Sequence, residues 1–224
     1  VQGLILVDLD ETLVDRDAVV RAWVHDAAEG DLTDVAWLVV HDRVNGRVRD
    51  RESFLSGVAE RLGWLTPVEE LLMSWPSAFG SRYRIDPSVA AALARARTGG
   101  FRVAVVSNGD AVRQRAKVEA MGLTDLVDAV VISGELGVRK PDPRIFAAAA
   151  RAAGSDLSGA TWVLGDDPVA DLQGARSIGA TAVWVNRAGR PWPADLPRPD
   201  AEFADPAVAL DHVVDAAGGS GLRR

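Results

Sequence analysis

The sequence predicts an α/β protein built on a doubly wound parallel sheet, with an all-helical segment inserted after its first strand. Three observations lead there. Short apolar runs recur along the chain, as in Leu4-Ile5-Leu6-Val7 and Val103-Ala104-Val105-Val106, and such runs mark strands buried on both faces. Helical patterns with clear start and stop signals separate the later runs, and that alternation is the mark of parallel strands joined by crossovers. Between residues 16 and 84 the rhythm breaks, and only helical patterns are found.

The elements follow in order. After Leu4–Val7, strands are expected at Arg102–Val106, Ala129–Ile132, Thr161–Leu164 and Thr181–Val185. Asp86-Pro87 predicts a cap with proline in the first turn, closed by Gly99-Gly100. Asp110 starts a second helix stopped at Gly122, Asp142-Pro143 a third closed by Gly154, and Gly179 ends a fourth. In the insert, helices are expected at Asp17–Glu29, Asp34–His41 and Glu52–Leu62, with a fourth opening at Thr66-Pro67-Val68-Glu69. Asn186–Pro206 reads as an extended, proline-rich connection, Asp205-Pro206 opens a last helix to Ala217, and Gly218-Gly219-Ser220-Gly221 reads as a frayed tail. The division is thus residues 1–15 and 85–224 for the core, and 16–84 for a helical cap domain.

Composition narrows the function. At 224 residues and 48% hydrophobic the chain can bury a substantial core, and without cysteine it has no disulfide or thiolate chemistry. A net charge of −7 argues against a nucleic-acid partner. No run reaches membrane-spanning length and no basic segment precedes the first apolar stretch, so a cytoplasmic location is expected, as a monomer or homodimer.

The chemistry gathers where strands end. Asp8 and Asp10 close the first strand, where open α/β sheets place their ligands, and an extended chain would turn both carboxylates one way. Ser107-Asn108 ends the second strand, and Lys140 stands in the loop before the third helix. Past the fourth strand, Asp166, Asp167 and Asp171 crowd three acids into six residues, an expensive arrangement unless a cation neutralises them. Asp167 before Pro168 also suits a helix cap. An all-oxygen donor set selects magnesium over zinc or copper.

These four segments, in this order, resemble the four motifs of the haloacid dehalogenase-like superfamily of phosphohydrolases. The resemblance runs from Leu4 to Val185 and implies a Rossmann-like core of strand order 5-4-1-2-3, with the insert as a lid-like cap. It implies a Mg2+-dependent phosphatase acting on a small phosphorylated metabolite. Asp8 would be the nucleophile that forms an aspartyl-phosphate, and Asp10 the general acid and base. Thr12, Ser107, Asn108 and Lys140 would bind the phosphoryl group. Asp8, the Asp10 carbonyl and Asp166 would hold the metal; Asp171 would orient Lys140 or a metal-bound water, with Asp167 in support. Glu11 stands where many relatives carry glycine. Asp10 argues for phosphate over carbon–halogen chemistry, since the dehalogenases of the superfamily generally lack it.

Two other readings use the same residues. A phosphomutase would return the phosphoryl group to a sugar, and an idle relative would only bind a partner. A receiver module also clusters aspartates at strand ends, but it is shorter and has no insert here. His25, His41 and His212 stand apart from every motif. Trp23, Trp37, Trp64 and Trp75 are expected to build the core of the insert, with the sharper alternative that one lines a substrate pocket. Arg43, Arg47, Arg49 and Arg51 read as a solvated face, with the alternative that one grips a second anionic group of the substrate.

Overall fold

The computed structural model describes residues 2–27, 51–80 and 82–220. It divides into two compact units: Val1–Val14 with Arg84–Arg224, and Asp15–Tyr83.

The first unit is a six-stranded sheet in the order β3-β2-β1-β4-β5-β6. Its strands are β1 (Gly3–Val7), β2 (Phe101–Ser107), β3 (Ala129–Ile132), β4 (Thr161–Gly165), β5 (Thr181–Val185) and β6 (Ala201–Phe203). Every pair is parallel, and β1 lies between β2 and β4, with Val7 level with both Val105 and Leu164. Read from the other edge, the first five strands stand in the expected 5-4-1-2-3 order.

β1 is apolar throughout because both of its faces are covered. Leu4 and Leu6 pack with Ala104, Val106, Ile145, Phe146 and Ala149 under the helix Pro143–Ala152. The helices Pro87–Thr98 and Pro206–Ser220 pack against each other, and Arg95 donates to both oxygens of Asp211 at 2.9 and 2.8 Å across that contact.

Three of the helices between strands start where a short polar side chain holds one of the first N–H groups. Asp86 accepts from Ser88 N, Asp110 from Arg113 N and Asp142 from Arg144 N, each cap worth about 1 kcal/mol.

Three expectations need correction. The stretch after Asn186 is not only a connection, because Ala201–Phe203 adds β6 to the sheet edge. The last helix continues through Gly218 and Gly219 to Ser220. After β4 the expected single helix is a widened turn, Pro168–Gln173, followed by the short helix Gly174–Ser177.

The second unit holds helices Arg16–Ala27, Arg51–Leu62 and Val68–Gly80. Asp15 Oδ1 caps the first by accepting from Ala18 N at 2.7 Å. Its core includes Val20, Trp23, Phe54, Leu55, Val58 and Tyr83. Trp23 and Trp64 meet edge to face with centroids 5.5 Å apart, so these two rings serve the core of the insert. The expected helix Asp34–His41, Trp37 and the residues Arg43, Arg47 and Arg49 lie outside the described residues, as do the side chains of Arg51 and Trp75.

Candidate active site

The polar residues of the first unit meet at the carboxyl ends of β1, β2 and β4, three adjacent strands whose parallel pairing brings their ends together. Asp8 follows β1 directly and is buried. Lys140 Nζ reaches Asp8 Oδ1 at 2.5 Å and Asp171 Oδ1 at 2.6 Å, so one buried ammonium bridges two buried carboxylates. The backbone geometry behind this is specific. A methyl group on Gly165 would lie 2.2 Å from Asp171 Cγ, so only glycine lets that carboxylate fold against the end of β4. The other Asp171 oxygen accepts from Asp167 N at 3.0 Å.

Asp10 does not continue the strand. The chain turns after β1, Glu11 adopts a positive φ of 64°, and Glu11 N donates to Val14 O at 2.7 Å. This corrects the picture of two carboxylates side by side on an extended chain. Asp10 instead engages the helix Ala111–Ala120: Lys117 Nζ donates to both of its oxygens at 2.7 Å, and Gln114 Nε2 donates to Oδ2 at 2.9 Å. The left-handed backbone at Glu11 explains why glycine suits that position, because an L side chain there carries strain of about 1–2 kcal/mol.

Thr12 is fully buried, and its Oγ1 has no hydrogen-bond partner among the described residues. Ser107 Oγ accepts from Gln114 Nε2 at 2.6 Å. Asn108 is turned elsewhere: its Nδ2 donates to Lys140 O and its Oδ1 accepts from Lys140 N, at 3.0 and 2.9 Å. Its side chain thereby holds the Lys140 backbone in place. Asp167 spends Oδ1 on Val169 N and Ala170 N, which makes it the helix cap that Pro168 suggested.

One carboxylate oxygen from each of Asp8, Asp166 and Asp171 lies within 4.8 Å of the other two, the one such group among the described residues. Burial pushes the Asp8 carboxyl up from its ordinary value, against the pull of Lys140. Burial likewise pushes Asp171 up to about 8, opposed by Lys140 and reinforced by Asp8 and Asp166. For Lys140, burial works downward, but Asp171 and Asp8 outweigh it and hold the ammonium protonated. Three hard oxygen donors gathered this closely, with one lysine bridging two of them, fit a small divalent cation.

Gln114, Lys117 and Arg190 are the site residues that sequence reasoning missed. Arg190 Nη2 bonds to the carbonyl and to Oδ2 of Asp166, both at 3.0 Å, and Trp184 Nε1 donates to the same carbonyl at 3.0 Å. The spacing of Gln114 and Lys117, three apart on one helix face just after Ser107-Asn108, was the available signal.

The family model for haloacid dehalogenase-like hydrolases matches residues 3–179. The chain belongs to the haloacid dehalogenase-like hydrolases. Within this hydrolase family it is 32% identical to a phosphoserine phosphatase of Thermus thermophilus, over 84% of this chain and 90% of that protein. It is 30% identical to the phosphatase MT3486 of Mycobacterium tuberculosis, over 82% and 90% of the two chains. Among solved structures, the HAD-hydrolase YfnB of Bacillus subtilis shares the fold with a TM-score of 0.74 at 18% identity, covering 95% of this chain and 98% of that one.

Proposed function

We propose that this hydrolase cleaves phosphate monoesters of small metabolites with Mg2+, through an aspartyl-phosphate on Asp8. One observation carries the reading: the buried Asp8 carboxylate is gripped by Lys140 and stands within a compact trio with Asp166 and Asp171. The resemblance to phosphatases along most of both chains supports the reaction class.

An Asp8 oxygen attacks phosphorus, and the bond to the leaving oxygen breaks as Asp10 gives that oxygen a proton. Asp10 then takes a proton from water, whose oxygen attacks phosphorus, so that the acyl-phosphate bond breaks, Asp8 is restored and inorganic phosphate leaves. Lys140 holds Asp8 in place and offsets the charge on the phosphoryl oxygens. The hydroxyls of Thr12 and Ser107 donate to those oxygens. Ser107 already accepts from Gln114, which directs its hydrogen outward. Asp8, Asp166 and the Asp10 carbonyl would hold Mg2+, which supplies positive charge against the repulsion between carboxylate and phosphate dianion. The insert, 16–84, would be the cap that selects the leaving group.

The test is phosphate release from a panel of phosphorylated metabolites, phosphoserine included, in MgCl2 and in EDTA, beside Asp8→Asn. Metal-dependent release lost in the variant supports the reading. Rearrangement of sugar phosphates without release identifies a phosphomutase instead, and silence throughout overturns the enzymatic assignment.

A further inference from the structure

The loop after β5 carries a device the catalytic reading does not use. Its five residues, Asn186 to Arg190, are closed on one side chain. Asn186 Oδ1 accepts from Arg190 N at 2.8 Å, while Asn186 Nδ2 donates to Arg190 O at 2.9 Å and to Glu202 Oε1 at 2.7 Å. Asn186 N donates to Phe203 O at 2.7 Å, which ties the loop to β6. From this frame two guanidinium groups reach two separate catalytic loops. Arg187 Nη2 donates to Thr12 O at 2.9 Å, and Arg190 Nη2 to both Asp166 oxygens already described.

The charges then divide in a particular way. Lys140 answers Asp8 and Asp171, whereas Arg190 answers Asp166. A dication that uses the Asp166 carboxylate must share it with a guanidinium, meeting its charge, or displace it and break its bonds, and either route costs binding. Displacement is open to Arg190, because its side chain is 41% exposed and water can take up its charge. The Asp166 backbone stays anchored by the Trp184 indole when the guanidinium leaves.

We propose that Arg190 is a positioning residue that competes with the divalent cation for Asp166, and so weakens metal binding and keeps it reversible. The inference rests on the magnesium reading of the site. It assigns the loop a purpose: the Asn186 clasp keeps the competitor in place.

The test is calorimetric titration of MgCl2 alone into substrate-free wild-type protein, Arg190→Gln and, as a second neutral replacement, Arg190→Met. Removing one positive charge beside the site should tighten Mg2+ binding about five- to tenfold in either variant. Arg190→Lys, which keeps the charge, should stay within about twofold of wild type. Unchanged or weaker binding by the folded neutral variants, with a normal wild-type isotherm, overturns the inference and leaves the magnesium reading standing. Absence of Mg2+ binding in wild type and both neutral variants overturns the two together.

Discussion

Lys117 grips Asp10 by both carboxylate oxygens at 2.7 Å, so the group proposed to move protons is held by a cation from a neighbouring helix. Gln114, one turn earlier, ties the same carboxylate to Ser107. Replacing Lys117 with Met should therefore lower kcat about ten- to a hundredfold with a smaller change in KM, because a loosened Asp10 fails in the proton step more than in binding. The loss should be greatest for substrates with poor leaving groups. An equal loss across leaving groups of different basicity would sink this assignment.

Gly165→Ala is expected to be severe for so small a change. The added methyl would overlap the Asp171 carboxylate, whose displacement releases Lys140 from one of its two anchors. Activity should fall at least about tenfold, and the protein should lose on the order of 1–3 kcal/mol of stability from overpacking. Steady-state kinetics and thermal melts check both.

Thr12→Val should separate stability from function. The Thr12 hydroxyl is buried without a partner among the described residues, so the near-isosteric valine breaks no internal hydrogen bond. The melting temperature should hold or rise while KM for the phosphorylated substrate increases. A clear fall in melting temperature would show that the hydroxyl serves the fold.

Stability should depend on pH in a sense opposite to that of a paired surface acid. Burial raises Asp171 to about 8, far above the 3.8 it has when exposed, so the folded state holds its proton more tightly than the unfolded state does. That contribution is fully present below about pH 4 and is lost as pH rises toward 8. Asp142, held near 2 chiefly by its hydrogen bonds from Arg144, has the other sign: its contribution is present above about pH 4 and is lost only as pH falls toward 2. In EDTA the melting temperature should decline between about pH 5 and 8, and MgCl2 should reduce the decline by favouring the charged carboxylates. A melting temperature in EDTA that climbs over that range would refute this.

Much of the core was legible because β1 to β5 are mainly apolar runs and the longer helices between them open on capping residues. Asp86, Asp110 and Asp142 announce helices by residue type alone, and the structure places a cap at each. β6 was hidden, since three residues among prolines have no period to read and gain strand character only by pairing with β5. Asp8, Lys140, Asp166 and Asp171 could be grouped because strand ends of a parallel sheet converge. Lys117 offered only its spacing from Gln114, and Arg190 offered no signal, since an arginine in a loop reads as solvated charge until tertiary contact gives it a carboxylate. The side-chain bonds of Asn108 to the Lys140 backbone were equally out of reach, since they link two loops 32 residues apart.

The indole of Trp184 gives the protein an optical handle. Its ring is buried against Trp192, with centroids 4.9 Å apart, and its N–H rests on the carbonyl of Asp166. Indole emission responds to charge and hydrogen bonding around the ring, so events at Asp166 are wired to a native fluorophore. Occupancy of that aspartate can therefore be followed by light, in unlabelled protein and on the timescale of a stopped-flow mixer.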